Sequence, residues 1–189
     1  MPTSQGNQDA IIAAIFAKMS PTHKYYVEFG FNTDQQCTKS GPNTCKLWQS
    51  GWHGLLLDGK NDNPLINLHA HQLTSKNIVS LFTRYGVPRD FDYLSIDIDS
   101  ADLWLMRAIL ASRSFRPRLL SVEYNSNYPW GYAVSFIDPT WVLNHNVSLR
   151  HTGYRHTCYF GASAMALELV AREFDCETLA RDSLCVLTP

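Results

Sequence analysis

Polar side chains end two predicted strands of this sequence, and their types suit cation binding or proton transfer. Asp97 and Asp99 close one short apolar stretch, and Glu123 and Asn125 close the next strand along the chain. Residues i and i+2 of a strand point to the same side, so each pair projects together. Because neighbouring strands lie about 4.8 Å apart, the four groups can converge. Such oxygen ligands suit Mg²⁺, whereas a single carboxylate can act as a general base on an acceptor hydroxyl or amine.

A structural interpretation of the same residues stays open. Asp99 can cap the helix that follows, Asp97 can be solvated, and acids of this kind often hydrogen bond to helix starts and loop backbone. Two histidines, His151 and His156, flank an irregular region and can reach a substrate. We therefore take Asp97, Asp99 and His156 as the candidate catalytic residues.

A second group of residues suits a nucleoside cofactor. Gly30 follows a strand of aromatic and β-branched residues, and glycine there lets the backbone approach a nucleotide closely. Asp58 ends the second strand, where a carboxylate can accept hydrogen bonds from both ribose hydroxyls. It follows Gly30 by 28 residues, against a usual spacing of about 20, so the intervening loop would contain an insertion. The alternative is that Gly30 and Asp58-Gly59 are ordinary turns.

The elements that must position these residues alternate along the chain. Apolar or β-branched runs predict strands, and periodic apolar residues predict helices between them. This alternation predicts an α/β fold: a doubly wound, mostly parallel sheet covered on both faces, in one domain over residues 1–189. The predicted strands are 24–29, 53–57, 65–71, 91–98, 116–124 and two within 177–187, and the predicted helices are 9–19, 44–48, 74–85, 102–110 and 161–174.

Composition restricts the class of protein. The 189 residues are 45% hydrophobic with a net charge of -1, which fits a globular domain, and no basic block predicts nucleic-acid or membrane-surface binding. The longest early apolar run, 10–17, is too short to span a bilayer and lacks the basic start of a secretion signal. We therefore expect a cytoplasmic protein. The five cysteines contain no Cys-x-x-Cys pair, so we expect neither a disulfide framework nor a structural zinc site.

The sequence resembles the class I S-adenosylmethionine-dependent methyltransferases, within the broad FkbM-like set. The segments that carry the resemblance, in chain order, are YYVEFG (25–30), PNTCKL (42–47), GWHGLLLDG (51–59), LTSKNI (73–78), FDYLSIDIDSADLWLMRAIL (91–110), PRLLSVEYNSNYP (117–129) and YFGASAMALELV (159–170). The resemblance implies a Rossmann-like, seven-stranded sheet. It implies that Asp97 lies near the amino-acid end of the methyl donor. It also implies that the cofactor-binding residues are Glu28, Gly30, Asn32, Asp58, Gly59, Thr74 and Asp97.

The resemblance also adds weight to a metal site. Catechol-type O-methyltransferases set acids and an asparagine after the same two strands to hold Mg²⁺, which corresponds here to Asp97, Asp99, Glu123 and Asn125. Two departures touch the cofactor side of the fold. No second glycine follows soon after Gly30, and Ser100 stands where relatives usually have glycine.

The expected function is methyl transfer from S-adenosylmethionine to an oxygen or nitrogen of an unidentified small-molecule acceptor, with or without a divalent metal. The long irregular region 125–159 would shape the acceptor site. One alternative is a non-catalytic module that keeps the fold and the cofactor. A second is an NAD(P)-dependent oxidoreductase, although the three-glycine turn that accommodates a pyrophosphate is missing. The sequence does not indicate the oligomeric state.

Overall fold

Five parallel strands form the centre of the fold in this computed structural model, which describes residue 4 and residues 7–35, 37, 42–140, 160–182 and 184–188. Strands β7 and then β6 extend the β5 edge in antiparallel orientation. The sheet order is β3-β2-β1-β4-β5-β7-β6. The strands are β1 (Tyr25–Phe29), β2 (His53–Asp58), β3 (Leu68–Ala70), β4 (Tyr93–Ile96), β5 (Leu119–Glu123), β6 (Glu177–Asp182) and β7 (Leu184–Thr188).

Helices lie on both faces of this sheet. They are α1 (Gln8–Met19), α2 (Cys45–Gln49), α3 (Ile78–Arg84), α4 (Asp102–Ser112) and α5 (Ala164–Glu173), with a short 3₁₀ helix at Pro64–Ile66. The predicted α/β class with a mostly parallel sheet is therefore confirmed. None of the described helices is long and apolar enough to cross a membrane.

Alternation along the buried strands divides the apolar residues between two cores. Val27 faces the larger core, which α3, α4 and α5 complete, while its neighbour Tyr26 faces the smaller core beneath α1 and α2. All five residues of β1 are buried, as expected for a central strand covered on both faces. Burial on both sides holds the strand ends in place, and those ends carry the candidate site.

Several predicted boundaries were too wide. The third strand was predicted to begin at residue 65, but β3 begins at Leu68 because the Asn63 side chain accepts a hydrogen bond from Leu65 N and starts a 3₁₀ turn. The helix predicted from Thr74 begins at Ile78. Thr74 and Asn77 instead bond to each other through side chain and backbone, which forms a turn before the helix.

One expectation about the cysteines was wrong. Cys37 and Cys45 form a disulfide, with their Cα atoms 5.3 Å apart. The number and spacing of the cysteines argued against a framework of several disulfides. A single disulfide requires only that the fold place two cysteines close together. The bridge joins a residue of the stretch after β1 to the first residue of α2.

Candidate functional site

A cavity of about 870 Å³ opens at the carboxyl ends of the parallel strands. Its walls include nine residues selected from the sequence, namely Glu28, Gly30, Asn32, Asp58, Gly59, Thr74, Asp97, Asp99 and Glu123. With Asp138, six acidic side chains line the cavity. Among the described lining positions there is one lysine, Lys60, and no arginine. Such a surface favours cationic ligands.

Gly30 is required by the neighbouring strand end. Its φ is +75°, and a Cβ at this position would lie 1.7 Å from the backbone oxygen of Asp97. The close approach therefore joins the turn after β1 to the loop after β4. The turn continues without a second glycine because Asn32 takes a φ of 53°, a left-handed conformation that asparagine tolerates better than most residues.

Glu28 is buried, and residues at the start of α2 hold its carboxylate. Asn43 N donates to Oε1 at 2.6 Å, Thr44 N donates to Oε2 at 3.2 Å, and the Thr44 hydroxyl also donates to Oε2. Burial raises the pKa of Glu28 to about 7, although these hydrogen bonds oppose the rise. Sequence reasoning missed Asn43 and Thr44 as site residues, since their partner lies at least 15 residues away in the chain.

The pKa of Asp58 is shifted in the opposite direction from that of Glu28. Oδ1 accepts from Lys60 N and Asn61 N, both at 2.8 Å, and from Asn61 Nδ2 at 3.1 Å, while Oδ2 accepts from Asn32 N at 2.9 Å. Burial alone would raise the pKa of Asp58, but the backbone hydrogen bonds outweigh it and the pKa is lowered. Asp58 is therefore a fixed anion between the turns after β1 and β2.

Asp97, Asp99 and Glu123 form a cluster of acids. One carboxylate oxygen from each lies within 4.8 Å of the others. Burial raises the pKa of Glu123 to about 8, and the nearby charge of Asp97 raises it further. Burial also raises the pKa of Asp97, while its hydrogen bond to Glu123 opposes that rise. Asp97 and Glu123 resist ionisation side by side, which suits the pair to a cation or to a shared proton.

Asp102 positions this cluster, a role that the sequence did not reveal. Asp99 was a candidate cap of α4, but the cap residue is Ala101 and no side chain caps the helix. The buried Asp102 carboxylate instead accepts from Ile98 N at 2.8 Å and Ser100 N at 2.9 Å. It therefore holds the turn in which Asp99 has a φ of 63°. Burial raises the pKa of Asp102 to about 6.

Asn125 was selected from the sequence as a metal ligand but stands apart from the cavity walls. The Asn125 side chain donates to Phe160 O and accepts from Asn127 N and Nδ2, so the amide supports a local turn. It is not among the residues that line the cavity, and its role as a metal ligand stays a prediction. His156, the candidate catalytic histidine, lies outside the described residues.

Comparison with known proteins identifies the fold. No protein-family model and no curated protein matches the chain. The structure is similar to the MycE methyltransferase from the mycinamycin biosynthetic pathway in complex with Mg and SAH, with a TM-score of 0.51 and 13% identity for one crystal form. For a second crystal form the values are 0.50 and 14%. Each match covers 95% of this chain and 48% of the other, so the chain spans about half the length of these neighbours. The shared feature is the Rossmann-like fold of methyltransferases.

Proposed function

We propose that this chain transfers a methyl group from S-adenosylmethionine to an oxygen or nitrogen of a small-molecule acceptor. The observation that carries the proposal is the position of the acidic cavity. It lies where the strand order reverses between β1 and β4, the place at which open α/β sheets bind ligands. The donor carries a sulfonium and an ammonium charge beside one carboxylate, and its net positive charge suits a wall rich in acidic residues.

The donor's adenosine would bind beside β1 and β2. Four N–H donors already fill the Asp58 carboxylate, and a carboxylate has about four lone-pair sites. A ribose hydroxyl would therefore replace the side-chain amide of Asn61, which makes the longest of these contacts, 3.1 Å. Gly30, Asn32, Gly59 and Thr74 would form the rest of this wall. Glu28 would act by holding the start of α2 in place.

The acid cluster would serve the acceptor. In the proposed reaction the acceptor's oxygen or nitrogen forms a bond to the methyl carbon while the carbon–sulfur bond breaks. The acceptor's proton passes to Asp97 or Asp99, with His156 as a further candidate. A raised pKa suits Asp97 to this role because a general base works best when its pKa lies near the operating pH. Alignment of the two reactants would supply much of the rate.

A divalent cation fits the same cluster. The three carboxylate oxygens are close enough to share one ion. Burial, together with the nearby charge of Asp97, raises the pKa of Glu123, and a bound cation would favour the ionised carboxylate. Asp97, Asp99 and Glu123 would hold the ion, with Asn125 as the predicted fourth ligand. When bound, Mg²⁺ would polarise an acceptor oxygen as a Lewis acid.

Removal of one carboxylate tests the metal site. We expect Glu123→Gln to weaken Mn²⁺ or Mg²⁺ binding by more than tenfold, because it deletes an anionic ligand. Titration calorimetry with each metal measures the effect, and Asp90→Asn, at an exposed position outside the cavity, serves as the matched control. Equal affinities in wild type and Glu123→Gln contradict the site. Full methyl transfer in the presence of a chelator would rule out a role for the metal. It would leave the proposal that a carboxylate alone acts as general base.

The function itself is tested by binding and turnover together. We expect S-adenosylmethionine and S-adenosylhomocysteine to bind in calorimetry, and a labelled methyl group to reach members of a panel of phenols, sugars and amines. Binding of NAD with no binding of either adenosyl compound would overturn the proposal in favour of an oxidoreductase.

A catalytically impaired binding module is the second candidate. The full set of donors on Asp58 favours it, since ribose must compete with the protein's own contacts. Tight binding of S-adenosylmethionine without transfer to any acceptor would support this candidate. Within the methyltransferases, the sequence segments described above favour the FkbM-like set for either function.

The composition and the disulfide bear in opposite directions on the cellular location. We propose a cytoplasmic protein, although disulfides such as Cys37–Cys45 persist mainly in oxidising compartments. Alkylation of free thiols in intact cells, followed by mass spectrometry, tests whether the two cysteines are reduced there.

A further inference from the structure

A polar network joins two loops that are distant in the sequence. Ser75 Oγ donates to Asp138 Oδ2 at 2.8 Å and lies 2.8 Å from Thr140 Oγ1. Thr140 N donates to Asp138 Oδ1 at 2.8 Å, and the Thr140 hydroxyl donates to the same oxygen. We call these three residues the Ser75–Asp138–Thr140 clasp. Its two sides are 63 residues apart in the chain.

The clasp forms part of the cavity wall. Ser75 follows Thr74 in the loop between β3 and α3, and Ser75, Asp138 and Thr140 all line the cavity. Asp138 and Thr140 belong to the segment that leaves the carboxyl end of β5, on the side of the acid cluster. The clasp therefore connects the proposed donor wall with the proposed acceptor side.

The rest of this segment is held differently. Phe136 O accepts from Trp104 Nε1 at 2.8 Å, and Phe136 N donates to Gly161 O at 2.8 Å. Beyond Phe136, within the part of the chain that the structure describes, the hydrogen bonds of residues 137–140 to other segments all go to Ser75. Among the described residues, the Ser75 hydroxyl is thus the hydrogen-bond link between this stretch and the loop after β3.

We propose that Asp138 is a positioning residue which, through Ser75, holds residues 138–140 against the bound methyl donor and slows the donor's release. This inference rests on the proposed function. The hydrogen bond between Ser75 and the Asp138 carboxylate is strong enough to favour the position in which residues 138–140 lie against the donor. It is weak enough to break while one ligand leaves and another binds. Loss of the clasp would let the wall move away from the ligand, so the dissociation rate would rise.

Release kinetics of S-adenosylhomocysteine test the clasp. We expect Ser75→Ala and Asp138→Ala each to raise the dissociation rate about tenfold in stopped-flow measurements. The double variant should release the ligand no faster than the faster single variant, because both changes break the same contact. Ser75→Thr, which keeps the hydroxyl, should restore release to within about threefold of wild type.

Controls separate positioning from simple loss of stability. Ser80→Ala removes a hydroxyl of α3 that bonds Asn77 O outside the cavity, and we expect it to release the ligand at the wild-type rate. If Asp138→Ala does not fold, Ser75→Ala decides the matter alone. If the wild-type protein binds the ligand and Ser75→Ala releases it at the same rate, the clasp is overturned and the proposed function stands. Absence of binding by wild type overturns the proposed function and the clasp with it.

Discussion

Carboxylates that share one cavity differ in chemistry because their immediate neighbours differ. Asp58 accepts four N–H groups, which lower its pKa despite burial. Glu123 is half-buried beside Asp97 and Asp102, and desolvation together with their charges raises its pKa to about 8. One cavity thus offers a permanent anion on the β2 side and an acid that can carry a proton on the β5 side. That division is what a donor site next to a proton-accepting site requires.

Replacement of Asp58 tests the donor side. We expect Asp58→Ala to weaken S-adenosylhomocysteine binding by more than tenfold, since hydrogen bonds to a charged group contribute about 1.5–3 kcal/mol. Titration calorimetry measures the change in the dissociation constant. Asp90→Ala, at an exposed position outside the cavity, should bind as wild type does. Unchanged affinity in a folded Asp58→Ala protein would remove Asp58 from the site.

At the scale of elements, the start of α2 joins the cavity floor to a covalent bridge. Cys45 is the first residue of α2, and its disulfide to Cys37 closes the loop that follows β1. The two residues before it, Asn43 and Thr44, hold the buried Glu28. The bridge therefore restricts the same short stretch that supplies three hydrogen bonds to Glu28.

Reduction of this bridge should lower stability. Closing a loop with a sequence separation of 8 corresponds to roughly 2.5 kcal/mol of stabilisation in the loop-entropy description. We expect urea unfolding with dithiothreitol to give a free energy lower by about that amount, and Cys37→Ser to show the lower value in either condition.

The free, buried Cys176 provides the matched control. A Cys176→Ala variant should lose as much stability on reduction as wild type does. If the reductant leaves wild-type stability unchanged, or if thiol titration finds Cys37 and Cys45 free in the oxidised protein, the bridge does not contribute in solution.

At the scale of the whole molecule, the acidic cavity makes stability depend on pH. Burial raises the pKa of Glu28 from 4.5 to about 7, so the folded chain binds this proton more tightly than the unfolded chain. The stabilisation is fully present below pH 4.5 and is lost as pH rises through about 7. Asp58 and Asp92 act in the opposite direction, but their lowered pKa values place that effect below about pH 4.

Unfolding measured across this pH range tests the effect. For the ligand-free protein, we expect the free energy of unfolding to fall between about pH 5 and pH 8, with roughly 3 kcal/mol of the decrease due to Glu28. Urea unfolding at intervals of about one pH unit measures the slope. The lowered pKa of His69 opposes the trend, so the comparison must be between variants.

Glu28→Gln supplies that comparison, because the amide does not titrate. Its free energy of unfolding should depend less on pH than that of wild type over the same range, whatever its absolute stability. Parallel slopes for the two proteins would show that Glu28 is ionised at neutral pH in the folded state.

Much of the architecture could be predicted from local patterns. Central strands such as β1 read as largely apolar runs, interrupted there by Glu28, because both faces are buried, and α4 shows its periodic apolar residues directly. The ends of strands and helices were less predictable where a side chain hydrogen bonds to a backbone group that could otherwise join the strand or helix. Asn63 does this before β3. The acids at strand ends were found because parallel strands place their carboxyl ends at one edge.

The sequence by itself determined the α/β class, the two covered faces and the set of acids at one rim of the sheet, since these depend on residue type and spacing within single elements. Only the tertiary structure decided which partners those acids have. Asn43 and Thr44 hold Glu28, Asp102 holds the turn of Asp99, and Ser75 meets Asp138. The physical reason is that a hydrogen bond depends on positions in space to a fraction of an ångström, and long-range packing sets those positions.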